Sequence, residues 1–293
     1  MIGHVLGLVA AAAEKTPSLG DMIMEHVADS HEWEAPWGIV HLPRWQPIHI
    51  GGLSIDMSPT KHVVMMLVGA VLLCVIMIWT AQRKHAPRAA ERAPSGFANM
   101  MEAFVIFLRD EVAMANIGHG GEKYVPYVLT LFFFILFSNL LGLLPFGATA
   151  TGNLSVTATL AVISLAIIEI SGFITLGPKG YARTIFYAPE GMGPVGRALM
   201  LIVMTPVELI GKFTKPFALC MRLFANMNGG HFVILSLIGL TVTAGTIKYT
   251  GIFLAPVVMA VAIMVLELFV AVLQAYIFAM LTSVFIGLIR HAH

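Results

Sequence analysis

Charge is the scarcest property of this sequence. Only 11% of its 293 residues are Asp, Glu, Lys or Arg, 16 acids against 17 bases, where a soluble domain carries about a quarter. That scarcity excludes an ordinary water-solvated globule. A formal net charge of +1 with no long basic run excludes a nucleic-acid surface. Cysteine is nearly missing too. Cys74 and Cys220 each lie inside an apolar run, so they read as small buried hydrophobes rather than a disulfide or metal pair. No HExxH or GxSxG motif occurs in an apolar run, which removes the intramembrane hydrolases. No internal repeat is visible, which removes a repeat-built transporter using an arginine to bind an anion. What is abundant is hydrophobic side chain, at 58% with a mean hydropathy of +0.87. The chain reads as an all-α integral membrane protein.

A helix crossing a bilayer needs about 20 apolar residues. His62 to Ala81, Pro126 to Phe146 and Leu154 to Leu176 each meet that length, and longer apolar stretches run from about 193 to 240 and from about 252 to 289. These make five membrane helices. Between the first two, Phe97 to Ile117 is interrupted by Glu102, Arg109, Asp110 and Glu111, which suits a helix lying at the cytoplasmic interface. Arg83, Lys84, Arg88 and Arg92 follow the first span, a loop with Lys179 and Arg183 follows the third, and Arg290 follows the last. The intervening loops carry almost no charge, and the region before the first span is acidic. The positive-inside rule then sets the N-terminus outside and the C-terminus in the cytoplasm. Residues 1–60 form an outer-side region and 61–293 a membrane domain. Residues 1–13 are a candidate short signal peptide, with a frayed tail or a surface-lying helix as the alternatives. The histidines at 26, 31, 41 and 49 are spaced irregularly and come with no thiols, so an outer-surface cap is preferred to a metal site.

The last two apolar stretches are too long. At 1.5 Å per residue they extend to roughly 70 Å and nearly 60 Å, against a hydrocarbon core about 30 Å thick. Either each is broken around a re-entrant segment, or both lie steeply tilted as a hairpin turning near Thr243–Gly251. Pro206 and Pro216 allow kinks without dividing the fourth stretch into two full spans. At about 100° per residue, with Glu208 at zero, Lys212 falls at about +40°, Lys215 at about −20°, Arg222 at about −40° and Asn226 at about 0°. This is one polar stripe on an apolar helix. Glu208 and Lys212 make a favourable i, i+4 pair, and Lys212 with Lys215 can snorkel to headgroups. Asn226 and Gln274 suit interhelical hydrogen bonding. His231 and Glu267 sit at similar distances from the hairpin turn and can approach one another. Arg222 is the hard case, because an unpaired guanidinium in hydrocarbon costs roughly 2.5–3.5 kcal/mol on insertion scales. No acid lies within four residues of it, so its partner is elsewhere, or on another chain.

From about residue 60 onward the chain resembles subunit a of the rotary F-type ATP synthases. The resemblance is carried by TLFFFILFSNLLGLLP, by TPVELIGKFTKPFALCMRLFANM and by LELFVAVLQAYIFAMLTSVFI. It implies the tilted-hairpin geometry for the last two helices and a proton-translocating subunit that is not an enzyme by itself. It also implies a bacterial inner-membrane location, no cofactor, and a ring of c subunits, peripheral-stalk b subunits and the rest of the synthase as partners. Carried over by position, Arg222 corresponds to the family's arginine facing the ring. Asn226, Gln274 and Glu208 fall on polar positions along the ion path, and His231 with Glu267 on the acid–histidine pair, exchanged relative to some bacterial members. Glu169 is an added candidate, expected on the outer side, with Glu208 on the cytoplasmic side. Ala225 departs from the glycine found in many members.

Overall fold

A computed structural model describes residues 20, 24, 28–35, 38–50, 53–84, 96–144, 147–186, 193–245 and 254–291. The candidate signal peptide and most of the basic loop after the first span lie outside the described residues, as do residues 246–251 of the expected turn. The helices are α1 (Lys61–Lys84), α2 (Phe97–Phe107), α3 (Val125–Gly142), α4 (Leu154–Ile185), α5 (Pro194–Gly245) and α6 (Leu254–Arg290). Five of them, all but α2, contain segments long and apolar enough to cross a membrane. Backbone contacts divide the described chain into two units, one within Met1–Lys61 and Asn228–Glu267, the other within His62–Met227 and Leu268–His293.

In the second unit the core forms where apolar faces are flattest. On α6, Ala271, Ala275, Ala279 and Ser283 recur every four residues and are all fully buried. A stripe of small side chains lets neighbouring backbones approach closely, which matters where lipid supplies no hydrophobic drive between helices. Leu219, Leu223 and Met227 form the matching buried stripe on α5, and Phe132, Ile135 and Phe278 fill the space between. The two long helices run antiparallel in this unit. Lys215 Nζ lies 5.2 Å from the centre of the Phe285 ring, and farther along α5 Asn226 donates to Gln274, which is earlier on α6.

Polar anchors within α3 replace water that hydrocarbon cannot supply. Asn139 is fully buried, accepts from Thr151 Oγ1 at 2.6 Å and donates to the carbonyl of Ala271 at 3.3 Å. Tyr127 and Ser164 join α3 to α4 at 2.7 Å. Helix α2 passes into a π-helical stretch, Leu108–Met114, and ends in a short turn, Ala115–Ile117. Leu108, Val112 and Ala113 are buried there while Arg109, Asp110 and Glu111 are exposed, so the polar interruption read from the sequence is the outer face of an amphipathic helix. At the end of α6, Arg290 donates from Nε to Thr175 Oγ1 and from Nη2 to the carbonyl of His119, and lies 5.5 Å from the centre of the Tyr124 ring.

Three expectations are corrected. The third span does not end in a loop. After Leu176 the chain breaks at Gly177, whose φ of 69° suits glycine, and Pro178 then opens a further helical segment to Ile185 that carries Lys179 and Arg183. Cys74 is exposed on the outside of α1, and only Cys220 is buried. The region before α1 contains strands that the sequence did not announce.

Those strands form two hairpins in the first unit, β1 (Glu32–Ala35) with β2 (Gly38–His41), and β3 (Ile48–Ile50) with β4 (Leu53–Ile55). Glu32 stands opposite His41, and their side chains meet at 3.4 Å. His31 Nδ1 faces the carbonyl of Pro59 at 3.2 Å.

Candidate functional site

Arg222 directly precedes Leu223 of the buried stripe of α5 and is itself exposed, flanking that stripe. Among the described residues it has neither an ion-pair nor a hydrogen-bond partner. The neighbouring polar side chain on α5, Asn226, is satisfied within the chain: its Nδ2 donates to Gln274 Oε1 at 3.1 Å. Gln274 is 2% exposed, and its own Nε2 is buried without a partner among the described residues. The amide pair therefore links α5 to α6 and leaves one unused donor next to the helix interface.

Within the first unit, His231 Nε2 lies 3.9 Å from Glu267 Oε1. The Glu267 side chain is 3% exposed and that of His231 24%, so the carboxyl is shielded and the imidazole is the group nearer the surface. Among the described residues neither oxygen of Glu267 has a hydrogen-bond partner. The local cause is glycine. A Cβ on Gly230 would stand 2.5 Å from Glu267 Oε1 and 2.7 Å from Cδ, so only the missing side chain lets the carboxyl lie against α5. Chemically, an imidazole beside a shielded carboxyl is a pair across which one proton can be taken up and handed on.

A second polar cluster sits in the other unit, where α4, α5 and α6 enclose a cavity of about 120 Å³. Glu169, Glu208, Lys212 and Lys215 all line it. Two sequence expectations change here. Lys212 does not pair with Glu208 one turn away on its own helix. Its Nζ donates instead to Glu169 Oε2 at 2.9 Å, and it lies 4.4 Å from the centre of the Tyr181 ring. Glu169 and Glu208, expected on opposite sides of the membrane, instead line one small cavity together. The sequence reading also missed Tyr181 and Gly230. Gly177–Pro178 was the available signal for the first, because it marks a break that brings Tyr181 back toward Glu169. The Gly229–Gly230 pair directly before His231 was the signal for the second.

Among the described residues no group of three His, Cys, Asp or Glu side chains could hold a metal ion. The site is one of isolated charges and amide or imidazole pairs along apolar helices. That set can stabilise a carboxylate presented to it and can pass protons.

Comparison with known proteins adds an independent line. A family model described as ATP synthase A chain matches residues 63–287. The chain is 44% identical over 287 residues to ATP synthase subunit a 2 of Chlorobaculum tepidum, covering 98% of this chain and 77% of that one. It is 47% identical over 268 residues to ATP synthase subunit a of Chloroherpeton thalassium, covering 90% and 75%. Against ATP synthase subunit a of Anaeromyxobacter dehalogenans it is 43% identical over 286 residues, covering 94% and 72%.

Proposed function

The chain belongs to the ATP synthase A chain family, and from that premise we propose that it is the stator subunit through which protons reach and leave a ring of c subunits. The single observation that carries the reading is Arg222, an exposed guanidinium on a membrane-competent helix with no partner among the described residues. A charge left this way is not stabilising by itself. It becomes favourable when a carboxylate on another chain comes to meet it.

The mechanism follows from charge in low dielectric. A ring carboxylate crossing lipid must carry its proton, because the ionised form is strongly disfavoured there. Beside Arg222 the ionised form is stabilised and the proton is released. Arginine does not give up its own proton, so it also blocks a direct leak between the two access routes. Reloading proceeds through His231 and Glu267, with Asn226 and Gln274 shaping the path. Release proceeds toward the cytoplasm through the cavity that holds Glu208. Each charge moved through the membrane potential is worth about 2.3 kcal/mol per 100 mV, which biases rotation of the ring and couples proton flow to ATP synthesis. The orientation that fits is N-terminus outside and C-terminus cytoplasmic in a bacterial inner membrane, with α2 at the cytoplasmic interface and the two long helices steeply tilted. Peripheral-stalk b subunits and the remaining synthase subunits complete the partners, and nucleic acid is not among them.

The test is ATP-driven acidification of inverted membrane vesicles carrying the whole complex, wild type beside Arg222→Ala. Recovery of the c ring with this chain checks assembly in both. Loss of pumping with assembly intact is the expected result. Pumping at the wild-type rate would overturn the mechanism.

A further inference from the structure

Lys212 has two carboxylates within its reach and uses only one. Glu208 precedes it by four residues, on the same face of α5, where an acid followed by a base forms an ion pair readily. The structure pairs the ammonium with another carboxylate instead. Lys212 Nζ donates to Glu169 Oε2 at 2.9 Å and approaches the Tyr181 hydroxyl at 3.3 Å. Tyr181 donates to the same Glu169 oxygen. Its ring lies under the ammonium, a cation–π contact, and stands edge-on to Phe173 at 5.9 Å.

The break in α4 makes this arrangement. In an unbroken helix residues 169 and 181 would be about 18 Å apart. The left-handed turn at Gly177, followed by Pro178, brings the hydroxyl back to the carboxylate. Lys215, the other cation of the cavity, points to the Phe285 ring. Glu208 is thus left as the exposed carboxylate of the cavity, with no ion pair among the described residues.

We propose that Glu169 and Tyr181 are positioning residues that sequester Lys212, so that Glu208 stays unpaired and free to exchange protons in the cavity. This rests on the reading of Glu208 as part of the release route. If Lys212 is set free it captures Glu208, and each proton entering the cavity must first break an ion pair. A cluster that only braced α4 against α5 would not act through Glu208.

The measurement is the initial rate of ATP-driven acidification in inverted vesicles with the whole complex, with c-ring recovery as the assembly check. Glu169→Gln is expected to pump about tenfold more slowly, the factor that corresponds to about 1.4 kcal/mol of pairing to be broken. Adding Lys212→Met removes the capturing charge and is expected to restore the rate to within about twofold of wild type. Placed in a Glu208→Gln background, Glu169→Gln is expected to cause no further loss, which is the non-additivity of residues acting through one another. Tyr181→Phe keeps the shape, removes one hydrogen bond and is expected to slow pumping about two- to threefold, so the idea stays testable if Glu169→Gln assembles poorly. A wild-type rate for Glu169→Gln beside a slow Glu208→Gln overturns this inference alone. A double variant as slow as Glu169→Gln, with assembly intact, also overturns it. A wild-type rate for Glu208→Gln removes Glu208 from the release route, and the inference with it, while the role of Arg222 stands.

Discussion

Lys212 and Arg222 stand on one helix, on nearly the same polar stripe, and the chain treats them in opposite ways. The Lys212 side chain is 11% exposed, and a carboxylate, a hydroxyl and an aromatic face surround its ammonium. Arg222 is exposed and has none of these among the described residues. Both positions face the same penalty for a cation away from water. Only one is compensated inside the molecule. On the proposed reading the contrast separates charges that organise this chain from charges held ready for another. On that same reading an arginine suits the open position, because a planar fork can take both oxygens of an arriving carboxylate, whereas an ammonium acts as a point charge.

The largest expected effect tests that distinction directly. Arg222→Lys keeps the charge and loses the fork. It is expected to lower pumping by about a hundredfold with assembly intact, equivalent to one charge-assisted hydrogen bond of roughly 1.5–3 kcal/mol. Lys212→Met removes a charge altogether and is expected to be milder. If Arg222→Lys pumped as well as wild type, a point charge would suffice and the comparison would lose its basis.

A smaller effect is expected where glycine makes room for the shielded carboxyl. Gly230→Ala should stabilise α5 by up to about 1 kcal/mol, since alanine is the better helix former. It should also push the Glu267 carboxyl from its place, because the new methyl would stand 2.5 Å from Oε1. The expected outcome is pumping about fivefold slower with undiminished recovery of the complex. Glu267→Gln should be slower still. An alanine variant that pumps normally would show that the position of Glu267 against α5 is not what matters.

The residues that could be read in advance, and those that could not, divide along physical lines. Apolar length announced the five membrane-competent helices, and the polar interruption announced α2. The polar stripe on α5 followed from helical angle, while the roles attached to it came from resemblance rather than from spacing. What escaped was tertiary. Local spacing favoured Glu208 for Lys212, and a carboxylate from α4 won because two more groups meet the ammonium there. Glu169 and Glu208 were expected apart, and their shared cavity escaped because linear position along a span does not reveal which cavity a side chain lines. The hairpins within 32–55 are three or four residues per strand, too short for an alternating pattern to stand out.

The smallest expected effect lies in the region before α1, where charge is both solvated and locally bonded. Asp56 Oδ1 accepts from the backbone N–H of Ser58 at 2.9 Å, and the Ser58 hydroxyl receives the N–H of Trp45 at 2.9 Å. The bonds to Ser58 hold the Asp56 carboxyl below the usual carboxylate range, with lesser help from His31 and Arg44. The folded state therefore binds this proton less readily than the unfolded chain does. Its contribution to stability is fully present above the unfolded value of about 3.9 and is lost as pH falls through the lower folded value. Full exposure keeps the contribution small. Amide exchange at Ser58 in the assembled complex is expected to quicken as pH falls below about 4, once the acid dependence of intrinsic exchange has been divided out. Asp56→Asn should remove that pH dependence and leave pumping unchanged. A pumping defect in Asp56→Asn would instead place this carboxylate on the route by which protons enter, and the division between organising and waiting charges would then extend beyond the helices.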